Sequence, residues 1–365
     1  MTGVGTLYRY ITMRMLFSIS ALFIVFSGLI LLIEIIENMR FAGKFADGSF
    51  LFAATLALLR TPGLIQTLAP FLFLFSAIWV FNQLNRRSEI AVMRSAGLSI
   101  WRLVTPPAIL SVLAGIFLLA VADPLATRML AHSETLKNDI RGQQSSIVRV
   151  LGDGIWFRQN ATNSILIINA AEFDSKNDTL REVVVWRMSK GAGFRERIDA
   201  DEAKLLGDFM ELYNARLITT QDRLNHESPV YTIDTTLTPD DLRQRVASPE
   251  SMSVFELSRF TELAEAAGLP TIKYYLRFHD LISTPLKLLA MVLIAAIFSL
   301  RPTRAGGAGR LLAYSIGTGF LLYVVSEVSV AIGESGVAPV ALAAWTPAIV
   351  ATLIAIAGLM HFEEG

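Results

Sequence analysis

No cysteine occurs anywhere in the 365 residues. That excludes a disulfide framework, thiolate metal sites and thiol redox chemistry. Histidine is scarce as well, and His132, His226, His279 and His361 have no metal-ligand spacing. Net charge is absent, with 32 basic residues balancing 32 acidic ones, so no global field points to nucleic acid. No G-x-x-x-x-G-K-[ST] phosphate cradle is present. The glycines of AGGAG, after Arg304, lie between two apolar runs and read as a hairpin turn. The chain is therefore not expected to hydrolyse ATP itself.

What the chain has instead is apolar residues in blocks: 53% of it is hydrophobic, with a mean hydropathy of +0.50. Six stretches approach the roughly 20 residues needed to cross a hydrocarbon core of about 30 Å. They are Met15 to Ile36, Gly63 to Asn82, Leu103 to Ala122, Leu281 to Leu300, Leu311 to Ile332 and Val337 to Met360. The first has no small-residue cleavage pattern and reads as a retained helix rather than a signal peptide. Six spans put both termini on one side. Arg9, Arg14, Arg86, Arg87, Arg94, Arg102, Arg301, Arg304 and Arg310 gather on that side, against Arg40, Lys44 and Arg60 in the short loops opposite. The positive-inside rule makes the first side cytoplasmic.

The basic stretch Asn82 to Pro107, NQLNRRSEIAVMRSAGLSIWRLVTPP, is the cytosolic segment most suited to a partner. Ser88 is a candidate N-cap with Glu89 in the first turn, and Ile90, Met93 and Ala96 recur at helical spacing. Gly97 suits a left-handed terminator. The spacing predicts a short helix over about 88–97, about 12 Å long and unable to span a bilayer. The plain alternative is a solvated loop.

Between the third and fourth spans lies the long polar insertion of residues 123–277, outside the cytosol by topology. SILIIN, EVVVWRM, FRERIDAD, ELYNARLITT and PVYTID read as strands separated by Gly, Asn, Asp and Ser, which suggests an antiparallel sandwich or jelly roll. In EVVVWRM, Val184, Trp186 and Met188 share one face. Ser253 and Glu256 form a capping box for a return helix over about 254–267, ended by Gly268 and Pro270. The chain thus divides into residues 1–122, 123–277 and 278–365: an α+β membrane protein of six transmembrane helices with an inserted β-domain.

Three charges fall inside apolar spans: Glu34, Lys287 and Glu327. Each costs about 2.5–3.5 kcal/mol to insert, so such residues face a bundle interior, a cavity or each other. An ion pair of Lys287 with one glutamate is one reading; a polar cavity for an anionic or amphipathic substrate is the other. Arg40, Lys44, Arg60, Lys273 and Arg277 group by topology at the outer mouth of the bundle. They read either as ordinary surface charges or as a ring that holds lipid-headgroup phosphates. His279 and Asp280 could suggest acid/base work, but no nucleophile accompanies them.

NRRSEIAVMRSAGLS with Pro106 and Pro107, RFHDLISTPLKLL with FSLR, AAWTPAIV, and RIDADEAKLLGDFMELYNARLIT together resemble the lipopolysaccharide-export permeases of the LptF/LptG type. The resemblance covers essentially the whole chain. Phe209 stands where that family commonly has tryptophan, and Asp280 where a basic residue is more usual. LLRTPGLIQTLAP after the first outer loop is closer to the LptG branch than to LptF.

The resemblance implies a permease subunit of an ATP-driven transporter, not itself an enzyme. It would extract lipopolysaccharide from the outer leaflet of the bacterial inner membrane and pass it to a periplasmic bridge toward the outer membrane. A second permease of this type would complete a heterodimer. A cytosolic ATPase dimer, which would hold the ATP and Mg²⁺ (the chain itself needing no cofactor), would grip the 88–97 segment through Ser88, Glu89, Met93, Arg94 and Gly97. The periplasmic jelly roll would shield acyl chains in an apolar interior, with Ile165, Ile167, Val184 and Trp186 as candidates; a single-span bridge protein would receive the lipid. The alternatives are a non-transporting membrane scaffold that presents the β-domain to a partner, and a lipid-modifying membrane enzyme using His279.

Overall fold

The computed structural model describes residues 2–45, 49–140, 147–151, 154–160, 164–174, 179–189, 193–206, 209–219, 226–235, 249–266, 271–300 and 308–364. Arg301, Arg304, most of the AGGAG turn, and the expected helix stop at Gly268 and Pro270 lie outside the described residues. Two compact units are present, one made of residues 1–133 and 276–365, the other of 134–275.

The first unit is helical. Helices α1 (Thr2–Phe45), α2 (Phe50–Arg86), α3 (Glu89–Ser95) and α4 (Ile100–Phe117) lead into a π-helical segment, Leu118–Ala122, and then α5 (Asp123–Ile140). Because the chain stays helical through Asp123, the unit boundary falls at 133/134 rather than at the 122/123 drawn from hydropathy. After the inserted unit come α7 (Ile272–Ile282), α8 (Thr284–Ser299), α9 (Ala308–Glu334) and α10 (Val340–Glu364). Among the described residues five helices are long and apolar enough to cross a membrane, and the bent pair α7–α8 passes the same test when taken together as one span.

Helix α8 is the axis of this unit and packs on α2, α4, α9 and α10. After Lys287 its sequence LLAMVLIAAIF is apolar all round, as a helix with neighbours on every side must be. Leu288 and every residue from Ala290 to Ala296 are buried. Phe73, Phe81 and Leu84 of α2, Ile100 and Val104 of α4, and Met15 of α1 complete the core. The outward faces of α1, α9 and α10 carry large exposed apolar residues such as Phe17, Ile24, Phe320 and Leu353.

The axis helix is not straight with its predecessor. Pro285, lacking an N–H, opens the α7–α8 junction, which bends by 48° at Ser283. Gly115 of α4 faces this junction, where an added Cβ would lie 2.4 Å from the Pro285 Cα.

The second unit carries a seven-stranded antiparallel sheet in sequential order. Its strands are β1 (Ile147–Leu151), β2 (Gly154–Asn160), β3 (Ser164–Asp174), β4 (Thr179–Ser189), β5 (Gly193–Leu205), β6 (Phe209–Thr219) and β7 (His226–Asp234). Glu182 and Asn214 adopt positive φ, 50° and 54°, and each drops out of the pairing while the register on either side of it stays the same. At this level the buried parity switches on three strands in step, from Leu180 to Val183 on β4, from Ile198 and Ala200 to Ala203 and Leu205 on β5, and from Met210 and Leu212 to Ala215 on β6; a register shift, the mark of a bulge, lies elsewhere, between Arg187 and Met188 in the β4–β5 pairing. A 3₁₀ turn (Pro249–Ser251) precedes α6 (Val254–Ala266). Here the capping box is formed: the Ser253 N–H donates to Glu256 Oε2 (2.8 Å), and the Glu256 N–H donates to Ser253 Oγ (3.4 Å). Leu257, Thr261 and Ala264 give α6 its buried stripe.

The interior of the sheet is the face opposite to the expected one. Leu166, Ile168, Val183 and Val185 are buried, whereas Ile165, Ile167, Val184 and Trp186 lie half-exposed on the other side. There Trp186 stacks on Trp156 (centroids 5.3 Å apart), with the Arg197 guanidinium over its ring. Both faces of SILIIN and EVVVW are apolar, so alternation could not choose between them. The small side chains Ala170, Ala203 and Ala215, all buried, mark the inner face.

Candidate docking and lipid-contact sites

Helix α3 is one short helix between two tight turns. Ser88 does not cap it, contrary to the sequence expectation: the residue is left-handed (φ 57°, ψ 14°) and its side chain makes no cap bond. The Ser88 N–H donates instead to the Asn85 carbonyl (2.9 Å), which closes the turn from α2. At the other end Gly97 has φ +78°, its N–H donates to the Arg94 carbonyl (2.9 Å), and the Leu98 N–H reaches the Met93 carbonyl (3.1 Å). That is a Schellman terminator, which needs the left-handed glycine. Ser99 then caps α4 by accepting from the Trp101 N–H (3.1 Å).

Only Ile90 of α3 enters the core, beside Leu84 and Ile100. Met93 is half-buried; Ala91, Val92, Arg94, Ser95, Ala96 and Gly97 are exposed, Val92 at 66%. The predicted Ile90–Met93–Ala96 face is therefore only partly inward. Glu89 is engaged within the chain: its carboxylate accepts from the Tyr10 hydroxyl (2.9 Å) and pairs with Arg14 (3.5 Å).

Two of the three intramembrane charges find partners, though different ones from those read in the sequence. Lys287 pairs with Asp280 across the α7–α8 bend, not with a glutamate. The pair closes the junction together with Ser283, whose Oγ donates to the Asp280 carbonyl (2.8 Å). This gives Asp280 a role that a basic residue there could not fill. Glu34, buried on α1, accepts from Arg60 of α2 (3.2 Å) and from Asn38 Nδ2 (3.2 Å). Glu327 is exposed on α9, one turn after Tyr323.

The five candidate headgroup cations thus differ in state. Arg40 and Lys44 are exposed in the last turns of α1, where Arg40 lies 3.7 Å from Glu37. Arg60 is committed to Glu34, and Arg277 is half-buried on α7 with an unpartnered Nε. Lys273 is exposed on the part of α7 that belongs to the other unit. His279 stands edge-on to Phe278 (5.6 Å). No cluster of three or more metal-ligating side chains occurs among the described residues.

Comparison with known proteins bears on these sites directly. The chain is 26% identical over 345 residues to the lipopolysaccharide export system permease protein LptG of Haemophilus influenzae, covering 89% of this chain and 90% of that one. It is 25% identical over 351 residues to the LptG of Escherichia coli K12, covering 89% of each. The family model for the lipopolysaccharide export system permease LptF/LptG matches residues 9–361, from the first turns of α1 to the last of α10. By that match, which takes in both compact units, the chain belongs to the LptF/LptG permease family.

Proposed function

We propose that the chain is one permease subunit of an ATP-driven transporter that extracts lipopolysaccharide from the outer leaflet of the bacterial inner membrane and passes it to a periplasmic bridge. The observation that carries this reading is the unbroken family match over residues 9–361, which takes in α3, the bundle and the sheet together. A second LptF/LptG permease would complete the membrane part. Both termini and α3 are cytoplasmic in this reading, and the β-unit is periplasmic, on the basic-residue count of the sequence.

A cytosolic ATPase dimer, holding ATP and Mg²⁺, grips the Ser88–Gly97 segment. Support comes from α3 itself: one buried anchor, Ile90, beneath an exposed face with Val92 and Arg94. A partner that seats on Val92 and pairs with Arg94 would find both available. Arg40 and Lys44, exposed at the far end of α1, are proposed as headgroup contacts, with Arg277 and, on the other unit, Lys273 as further candidates; Arg60 serves mainly Glu34. Ile165, Ile167, Val184 and Trp186, the residues proposed to shield acyl chains, lie half-exposed on one face of the sheet, while Ile168 and Val185 on the other are fully buried.

Substitution at the grip tests the assignment. Val92→Asp with Arg94→Glu should leave the protein in the membrane but reduce the ATPase that co-purifies with it by about tenfold. Undiminished co-purification would remove α3 as the docking segment.

A further inference from the structure

Of the three charges inside the apolar spans, Glu34 pairs with Arg60 and Lys287 with Asp280. Glu327 stays exposed on α9, and among the described residues no basic side chain pairs with it. A carboxylate facing bare hydrocarbon is costly, so something polar has to meet it. The rings beside it indicate what kind of molecule does. Tyr323, one turn earlier on the same face, lies against Phe71 of α2 (centroids 5.2 Å apart). Phe71 continues to Phe75 (6.4 Å), and Phe75 to Phe26 of α1 (6.4 Å). All four rings are half-exposed. Phe71 and Phe75 stand one turn apart on α2, which forms the floor of a shallow aromatic trough with α1 and α9 as its sides.

The groups along this trough are graded by depth. In the proposed topology α9 rises toward the outer face, and Glu327 lies about 7.5 Å short of Ile332, the outer end of its span. Tyr323, Phe71 and Phe26 lie about 12–15 Å below the outer ends of their spans, and Arg40 about 6 Å beyond that of α1. From the outside inward the order is cations, a single carboxylate, then rings. A glycerophospholipid presents ester carbonyls at the depth of the carboxylate, and two acceptors cannot satisfy each other. A lipid whose chains are amide-linked and β-hydroxylated presents N–H and O–H donors there. We propose that Glu327 is a specificity-determining residue: it accepts hydrogen bonds from donors at the base of the cargo's acyl chains, and so selects a lipopolysaccharide-type anchor against the surrounding glycerophospholipids. The inference deepens the transport reading and rests on it. Arg40 and Lys44 cannot make this choice, because both kinds of lipid carry phosphate. A site built around a hydrogen-bond partner rejects an analogue without one far more strongly than an apolar pocket rejects a misfit.

The test is a competition experiment on the complete complex in detergent. Fluorescent tetra-acyl lipid A is displaced either by unlabelled tetra-acyl lipid A or by cardiolipin, which matches it in phosphates and chains but has only ester linkages. The ratio of the two half-displacing concentrations measures the preference. Glu327→Leu should lower that preference by about tenfold, mainly by improving cardiolipin, while the subunits still co-purify. The position is exposed and the change removes a membrane charge, so folding is not at stake. Glu327→Gln keeps one acceptor and the same shape, and should lose about threefold. A preference unchanged in both variants overturns the assignment. Equal weakening of both lipids does so too, because it makes Glu327 a general support of the bundle. Loss of a subunit from the Glu327→Leu complex also overturns it, since the carboxylate then meets a partner helix. Failure of the transport reading looks different: the parent complex itself shows no saturable binding of lipid A.

Discussion

At the scale of single residues, the charges inside the apolar helices decide most. Glu34 is buried and its carboxylate is shared between Arg60 and Asn38. Removing one partner of such a pair strands the other, and the cost exceeds what the intact pair contributes. Arg60 is about one-third exposed, so solvent screens part of this. Arg60→Ala should then destabilise the detergent-solubilised protein by on the order of 2 kcal/mol, and adding Glu34→Gln should recover most of it. Thermal unfolding of the two variants checks the sign and the recovery. That Glu34 and Lys287 needed partners was legible in the sequence, because a membrane charge is costly wherever it sits. Which partners they take was not. Arg60 was assigned to the rim, and Asp280 lies two turns before Lys287 across a bend that hydropathy does not reveal.

At the scale of elements, apolar length and terminator chemistry could be read directly, and facing could not. The spans stand out because 20 apolar residues have few alternatives. The end of α3 was legible from Gly97, since a left-handed position there favours glycine; its start was misread because Ser88 is itself left-handed and serves a turn. The sheet shows the limit most plainly. Val183 and Val184 are the same residue type at adjacent positions, yet one is buried and the other half-exposed. Only the switch of facing at Glu182 and Asn214 and the inward alanines fix the parity. The α4–α8 contact is another feature that sequence alone conceals. Gly115 lets the Pro285 backbone come so close that Gly115→Ala must push two helices apart, at about 1–3 kcal/mol. Gly319→Ala, whose Cβ would meet only the flexible end of Leu74, should cost clearly less. Comparing the thermal midpoints of the two variants tests whether the bend is a backbone contact or merely a crowded one.

For the whole molecule, the open question is which compartment each unit faces, and the lack of cysteine makes it accessible. With none in the parent chain, one introduced cysteine is the only thiol that can react. Arg94 on α3 and Arg216 on β6 are both exposed, and both lie away from the buried core of their own unit. In the topology proposed from the basic residues flanking the spans, the first is in the cytosol and the second outside it. Arg216→Cys should therefore react with a membrane-impermeant maleimide added to intact spheroplasts, while Arg94→Cys should react only after the membrane is opened. The contrast is robust because each unit supplies its own control: lysis must reveal the α3 site and leave the β6 signal unchanged. Equal labelling of both before lysis would place α3 outside the cytosol, where no ATP-driven partner could grip it. The reverse pattern would invert the whole bundle and put the sheet on the wrong side to receive a lipid from the outer leaflet. The expected pattern is the one the proposed function requires, with the exposed face of α3 open to an ATP-driven partner and the sheet on the periplasmic side.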